Sequence, residues 1–140
     1  MAFKDVAGNV RIKRILKLAL ERARVPNSLL FCGPEGVGKK AMALTLAKTL
    51  NCLNLTTDSC DRCSSCRAID EGRFPDVMLI EVKDEKKAVA IDQIRLLRQM
   101  AYLRPMTGKK RVFIVVDAAE MSADAANSLL KVLEEPPLHS

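Results

Sequence analysis

Aromatic side chains make up only 4% of this 140-residue chain, which excludes a core built on stacked rings. With 49% hydrophobic residues, the core must be aliphatic. The same scarcity removes the platforms on which single-strand nucleic-acid binders stack bases. No apolar run approaches the roughly 18 residues of a membrane span, so no membrane partner is expected. The opening MAFKDVAGNVRIKRILKLAL lacks the apolar centre and small-residue cleavage site of a secretion signal, and the cytoplasm is the expected compartment. Histidine is reduced to His139, in the terminal segment, where it invites no metal or catalytic role.

Positive charge is what the chain has in excess. A net +6 is accounted for either by an anionic partner or by a solvated basic surface. Five cysteines in a reducing compartment argue for metal rather than disulfides. Length bounds the chain to one domain or a piece of one.

Val10 to Ala23 sets Ile12, Ile15, Leu16, Ala19 and Leu20 at helical spacing among Arg11, Lys13, Arg14 and Lys17, an amphipathic helix broken by Pro26 and Asn27. Ser28 to Cys32 (SLLFC) reads as a buried parallel strand, with Cys32 a small core residue. Lys39 to Leu50 is a second helical pattern, and Val77 to Val82 a second strand. After the charged loop KDEKKA, a helix is expected from about Ile91 to Tyr102, then a third strand over Arg111 to Val116. Ser122 can cap a last helix with Ala126, Leu129, Leu130 and Leu133 along one stripe, stopped by Pro136 and Pro137. Strands alternating with helices predict an α/β fold with a parallel sheet.

Gly33 to Lys40 reads G-P-E-G-V-G-K-K, a phosphate-binding loop in its proper context of strand, loop and helix. Gly33, Pro34, Gly36, Val37, Gly38, Lys39 and Lys40 are the candidate nucleotide-binding residues: glycines let the backbone wrap phosphate, and Lys39 neutralises charge. The last position normally carries a hydroxyl that ligates Mg²⁺. Lys40 stands there instead, and a charged lysine has no lone pair to offer a metal. A working ATPase also needs carboxylates at the end of a neighbouring strand. RVFIVVD offers Asp117, the candidate catalytic residue if the site is active, but Ala118 and Ala119 follow where a glutamate base often stands. ATP and Mg²⁺ are therefore doubtful ligands, and hydrolysis by this chain is not expected.

Cys52, Cys60, Cys63 and Cys66 give C-x7-C-x2-C-x2-C. Four thiolates suit a tetrahedral Zn²⁺ and leave no open position, so the expected site is structural rather than catalytic. A redox dithiol would need two cysteines, not four.

Together, GPEGVGKK, the four-cysteine excursion, FPDVMLIEV, AIDQIRLLRQ, RVFIVVDAAEM and AANSLLKVLEEPP resemble the N-terminal part of a bacterial clamp-loader subunit of DNA polymerase III, a AAA+ protein. The resemblance runs from Phe3 to Pro137. It implies a P-loop NTPase (AAA+) fold, a parallel sheet sandwiched by helices. Residues 1–140 would be the N-terminal part of that domain, truncated before the end of its core, and residues 52–66 a small inserted zinc module. Because family topology sets a later strand between the first and third, an exposed sheet edge or association is also implied. Asn27 and Asn9 replace a usual histidine and glutamine, each keeping a polar group.

Two types share this plan. The ATP-hydrolysing gamma/tau type has a hydroxyl at the end of its loop and an Asp-Glu pair on the third strand. Counting back from LEEPP sets that aspartate at Val116 and the glutamate at Asp117, a register different from the strand-end reading; in either one carboxylate is missing. VVDAAEMSADAANSLLKVLEEPP is instead similar to the delta-prime type. That likeness implies a largely non-hydrolysing member of a hetero-oligomeric ring that lends an arginine finger to a neighbour's ATP site, from a Ser-Arg-Cys motif downstream of Ser140. The implied partners are other clamp-loader subunits, the sliding clamp and primed DNA bound without sequence preference.

The alternatives are an active gamma/tau-type ATPase, with Lys39 on the phosphates and Asp117 on Mg²⁺, and a zinc-stabilised nucleic-acid-binding module. The latter would show stacking aromatics or a basic recognition helix, and neither is present. Arg95 and Arg98, and the stretch Lys109 to Arg111, are candidates for phosphate-backbone contact or for a solvated face.

Overall fold

The computed structural model describes residues 2–5, 10–25, 38–81, 87–106, 108–116 and 123–134. They belong to two compact units, Met1–Phe74 and Pro75–Ser140. The expected strand over 28–32, loop residues Gly33, Pro34, Gly36 and Val37, Asp117 and the Ser122 cap lie outside the described residues.

The described part of the first unit is helical: a 3-10 turn, Phe3–Asp5, then α1 (Val10–Glu21), α2 (Lys39–Asn51) and a short α3 (Ser64–Asp70). α1 ends before the proline that sequence spacing marks. Its last carbonyls are closed by Arg24 N–H on Ala19 C=O (2.8 Å) and Ala23 N–H on Leu20 C=O (3.2 Å), with Ala23 left-handed at φ 52°. Of the predicted apolar face only Leu16 is buried, while Ile12 and Ile15 are exposed. α3 was not legible in the cysteine excursion. It closes with the same lock, Arg73 N–H on Ala68 C=O (3.0 Å) and Gly72 N–H on Ile69 C=O (3.1 Å), this time with a glycine at φ 72°.

Phe3, Leu16, Met42 and Leu46, with Leu20 and Leu50 against them, form the core of this unit. It is aliphatic but for Phe3. α2 is buried on several faces, which puts Thr45, Thr49 and Asn51 inside. Each satisfies itself on its own helix: Thr45 Oγ1 donates to Ala41 C=O (2.7 Å), Thr49 Oγ1 to Thr45 C=O (2.8 Å) and Asn51 Nδ2 to Ala47 C=O (3.1 Å).

The second unit is a small α/β arrangement: β1 (Val77–Glu81), α4 (Lys87–Ala101), β2 (Val112–Val116) and α5 (Ala123–Glu134). β1 and β2 pair in parallel from Val77↔Val112 to Glu81↔Val116, the predicted strand–helix–strand unit. Among the described residues the sheet has these two strands. Met78, Ile80, Phe113 and Val115 share one face and pack with Ile94, Leu97 and Ala101 of α4 and Ala125, Leu129 and Val132 of α5.

Two helix expectations need correction. α4 starts at Lys87, four residues early, because Ala88 and Ala90 are strong helix formers that extend it into the charged run. Among the described side chains of α5 the buried ones are Ala125 and Val132, whereas Ala126 is half-buried and Leu130 is 46% exposed; the Leu133 side chain lies outside those described. The stripe through Leu129 was right in period and turned by about one residue, since contact with α4 rather than side-chain size selects the inner face.

Candidate metal centre and basic groove

The sulfurs of Cys52, Cys60, Cys63 and Cys66 all lie within 4.8 Å of one another. A tetrahedral Zn²⁺ at about 2.3 Å from each sulfur would set them about 3.8 Å apart, so this donor set is compatible with a structural zinc ion. Each ligand comes from a defined place. Cys52 is the C-cap of α2, and Cys63 is the N-cap of α3, which also carries Cys66. Cys60 lies in the turn before them. Cys52 and Cys66 are fully buried, whereas Cys60 and Cys63 are partly exposed.

Backbone donors surround the sulfurs. Cys60 Sγ accepts from Arg62 N–H (3.4 Å), Cys63 N–H (3.2 Å) and Asn54 Nδ2 (3.4 Å). Cys52 Sγ accepts from Leu55 N–H and Cys63 Sγ from Cys66 N–H, each at 3.4 Å. These contacts favour the thiolate. The N–H groups of Arg62 and then Cys63 bring Cys60 down to about 6. Burial works against ionisation of Cys63, but the N–H groups of Leu53 and Cys66 outweigh it and its pKa falls below the usual thiol value. Burial, with the neighbouring thiols of Cys63 and Cys52, pushes Cys66 up. Two thiols drawn toward ionisation beside a buried one pushed away from it suit a cation that supplies the missing charge.

The turn at Cys60 depends on Asp61, which is left-handed at φ 60°. Its Oδ1 accepts from Lys48 Nζ (2.9 Å) and Ser59 Oγ (2.9 Å), and Lys48 Nζ also meets Asp70 Oδ1 at 3.0 Å. Lys48 belongs to α2 and is 1% exposed. Burial opposes its charge, yet hydrogen bonds, those to the Asp61 and Asp70 carboxylates among them, hold its pKa above the ordinary value. Asp61 is in turn drawn down to about 2: burial opposes this, and the hydrogen bond from Lys48 leads the groups that overcome it. Asp58 Oδ1 ties the excursion to the 3-10 turn by accepting Phe3 N–H at 2.7 Å. None of these anchors stands out in the sequence, where a buried lysine looks like any other helical lysine.

At the other end of α2, Gly38 is the N-cap at φ 88°, ψ 24°. A Cβ there would meet nothing within 4 Å among the described residues, and the left-handed backbone conformation itself calls for glycine. Lys39 and Lys40 form the first turn, with Lys40 exposed. Among the candidate loop residues Gly38, Lys39 and Lys40 are described, at the N-cap and first turn of α2.

In the second unit, Arg95 and Arg98 line two adjoining concavities on α4 and α5. One, of about 420 Å³, includes Gln99 and Tyr102; the other, of about 400 Å³, includes Asp124, Asn127, Ser128 and Lys131. Arg98 Nη1 donates to Ser128 Oγ at 3.4 Å, and Arg95 is exposed beside Asp92 at 3.8 Å. Arg111 does not join this surface. It is 3% exposed and paired with the buried Asp76, so of its two candidate readings, phosphate contact or solvated face, neither holds and its role is structural, while Lys109 and Lys110 remain exposed.

Residues 8–140 match the family described as "DNA polymerase III, delta subunit". The chain belongs to this family of DNA polymerase III subunits, the clamp-loader group that its motifs resemble. It is similar to DNA polymerase III subunit tau of Salmonella typhimurium, 38% identical over 98% of this chain and 21% of that protein. Subunit tau of Bacillus subtilis is 35% identical over 98% of the chain and 24% of its own length. Subunit gamma/tau of Mycoplasma pneumoniae is 35% identical over 96% of the chain and 19% of its own length. The chain thus spans a fifth to a quarter of the length of these relatives. No helix among the described residues is long and apolar enough to cross a membrane.

Proposed function

We propose that this chain is the N-terminal, phosphate-loop part of a clamp-loader subunit of the delta-prime type. It assembles with ATP-hydrolysing subunits in a hetero-oligomeric ring that loads the sliding clamp onto primed DNA in the cytoplasm, and does not itself hydrolyse ATP. The observation that carries this reading is Lys40, exposed on the first turn of α2 where a Mg²⁺-ligating hydroxyl would stand. The first turn keeps Lys39, as the loop motif requires, but offers the metal no ligand at that position. Without the metal and a full pair of carboxylates, the charge built up in phosphoryl transfer has too little to stabilise it.

The four thiols hold a structural Zn²⁺ that fixes the loop between α2 and α3. With all four positions taken by protein, such an ion supplies folding energy and no catalysis. Arg95 and Arg98, with Lys131 near them, contact the DNA backbone. Contacts of this kind are independent of sequence and sensitive to salt.

The second reading is an active gamma/tau-type ATPase, and the names of the relatives favour it. Turnover of labelled ATP, with and without Mg²⁺ and with and without partner subunits, separates the two. The delta-prime reading expects none from the chain alone; Mg²⁺-dependent turnover by the isolated chain would overturn it in favour of gamma/tau.

A further inference from the structure

We propose that Lys48 is the positioning residue of the cysteine loop: from inside α2 its ammonium holds Asp61 in the left-handed turn that aims two N–H groups at Cys60. The inference rests on the reading of the four thiols as a metal site and deepens it.

Three observations converge. First, Asp61 sits between Cys60 and Cys63 at φ 60°, a conformation that costs an L-residue free energy and persists where surroundings over-determine it. Aspartate tolerates it better than most residues, but glycine is the residue that adopts it freely. Secondly, this turn delivers the Arg62 and Cys63 N–H groups to Cys60 Sγ at 3.4 and 3.2 Å. Thirdly, the Asp61 carboxylate is gripped by a lysine that is 1% exposed and by the buried Ser59 hydroxyl, both at 2.9 Å. A lysine gives up much hydration and side-chain freedom to be so placed. Lys48 lies one helical turn before Cys52, so the helix that presents one sulfur also carries the cation that shapes the turn around another. Its second contact, Asp70, reaches the end of α3, the helix bearing Cys66. One buried cation therefore ties together the elements that supply the four ligands.

The test uses the full chain loaded with Zn²⁺, with release followed by transfer to a chromophoric chelator. Lys48→Met should speed release about ten- to a hundredfold, the usual effect of losing a group that orients a ligand. Its carboxylate partners are 27% and 45% exposed, so water can solvate them once the lysine is gone. The discriminating arm is Asp61→Gly, in which the turn no longer needs holding. In that background Lys48→Met should add less than about threefold. Asp61→Asn, which leaves α2 untouched, should raise release several-fold and keep the positioning claim testable if Lys48→Met fails to fold. In the Co²⁺-loaded protein Lys48→Met and Asp61→Asn should each alter the visible ligand-field bands.

Release unchanged in Asp61→Asn, or an equal loss from Lys48→Met in both backgrounds, would overturn the proposal while the metal site stands. A wild-type chain holding well under one equivalent of zinc after anaerobic purification would overturn the metal reading itself, and this inference with it.

Discussion

Asp76 and Arg111, neither side chain more than 2% exposed, face each other at 3.4 Å just before the two parallel strands begin. The Asp76 carboxylate also accepts Met106 N–H (2.7 Å) and Gly108 N–H (2.6 Å), while Arg111 Nη2 donates to Arg104 C=O (3.0 Å). The pair therefore pins the loop after α4 to the start of the sheet, where Val112 N–H also meets Asp76 C=O at 2.8 Å.

Removing the carboxylate should be costly. Asp76→Asn leaves a buried guanidinium without its counter-charge, and losses of about 3–5 kcal/mol are typical of broken buried pairs. Arg111 Nε and Nη1 already lack hydrogen-bond partners among the described residues, so little else there offsets the charge. Denaturant unfolding measures it. Asp76→Asn combined with Arg111→Met should recover part of the loss, and a single variant within about 0.5 kcal/mol of wild type would refute the account.

Chelation of zinc should loosen the first unit and leave the second as it was. Amide exchange is the direct readout: protection at Leu55, Cys63 and Cys66, whose N–H groups point at sulfurs, should fall on metal removal. Cys66→Ser should lower stability more than Cys60→Ser, because Cys66 is fully buried in α3 and Cys60 is partly exposed. Equal exchange with and without metal would count against a structural ion.

Arg95→Ala and Arg98→Ala should each weaken binding to primed duplex DNA whatever its sequence. If each arginine neutralises one phosphate, the slope of log K against log salt should fall by about one per substitution. Arg111 is committed to Asp76, so a role in DNA binding is not expected of it. Unchanged affinity in the Arg95 and Arg98 variants would return the groove to an ordinary solvated face.

Lys40→Thr would restore a Mg²⁺ ligand at the second residue of α2. The expected result is tighter, Mg²⁺-dependent nucleotide binding without turnover, because one strand-end carboxylate is still missing. Equilibrium binding of labelled ATP paired with a turnover assay checks it. Vigorous hydrolysis by the variant would mean that Lys40 alone had silenced the site.

What the sequence made legible followed from local rules. The strands near 77–82 and 111–116, the α2 pattern and the four-thiol spacing each depend on residues close together in the chain, and these reappear in space. The inner face of α5 was missed because it is chosen by a helix more than twenty residues away. α3 was hidden because its cap is a cysteine, Cys63, that spacing had assigned to metal alone. Lys48, Asp61, Asp76 and Arg111 were invisible for a related reason. Charged residues are normally at the surface, and only their partners reveal that these four are not.

α2 is capped by Gly38 at one end and Cys52 at the other, so its thirteen residues separate a first turn carrying two lysines from a cluster of sulfurs by about 20 Å. Its peptide dipoles all point one way, leaving partial positive charge at the lysine end and partial negative charge at the cysteine end. That polarity favours negative charge near the first end and positive charge near the second. The polarity of a single rod thus gives its two ends opposite charge preferences, which cannot be exchanged without reversing the helix.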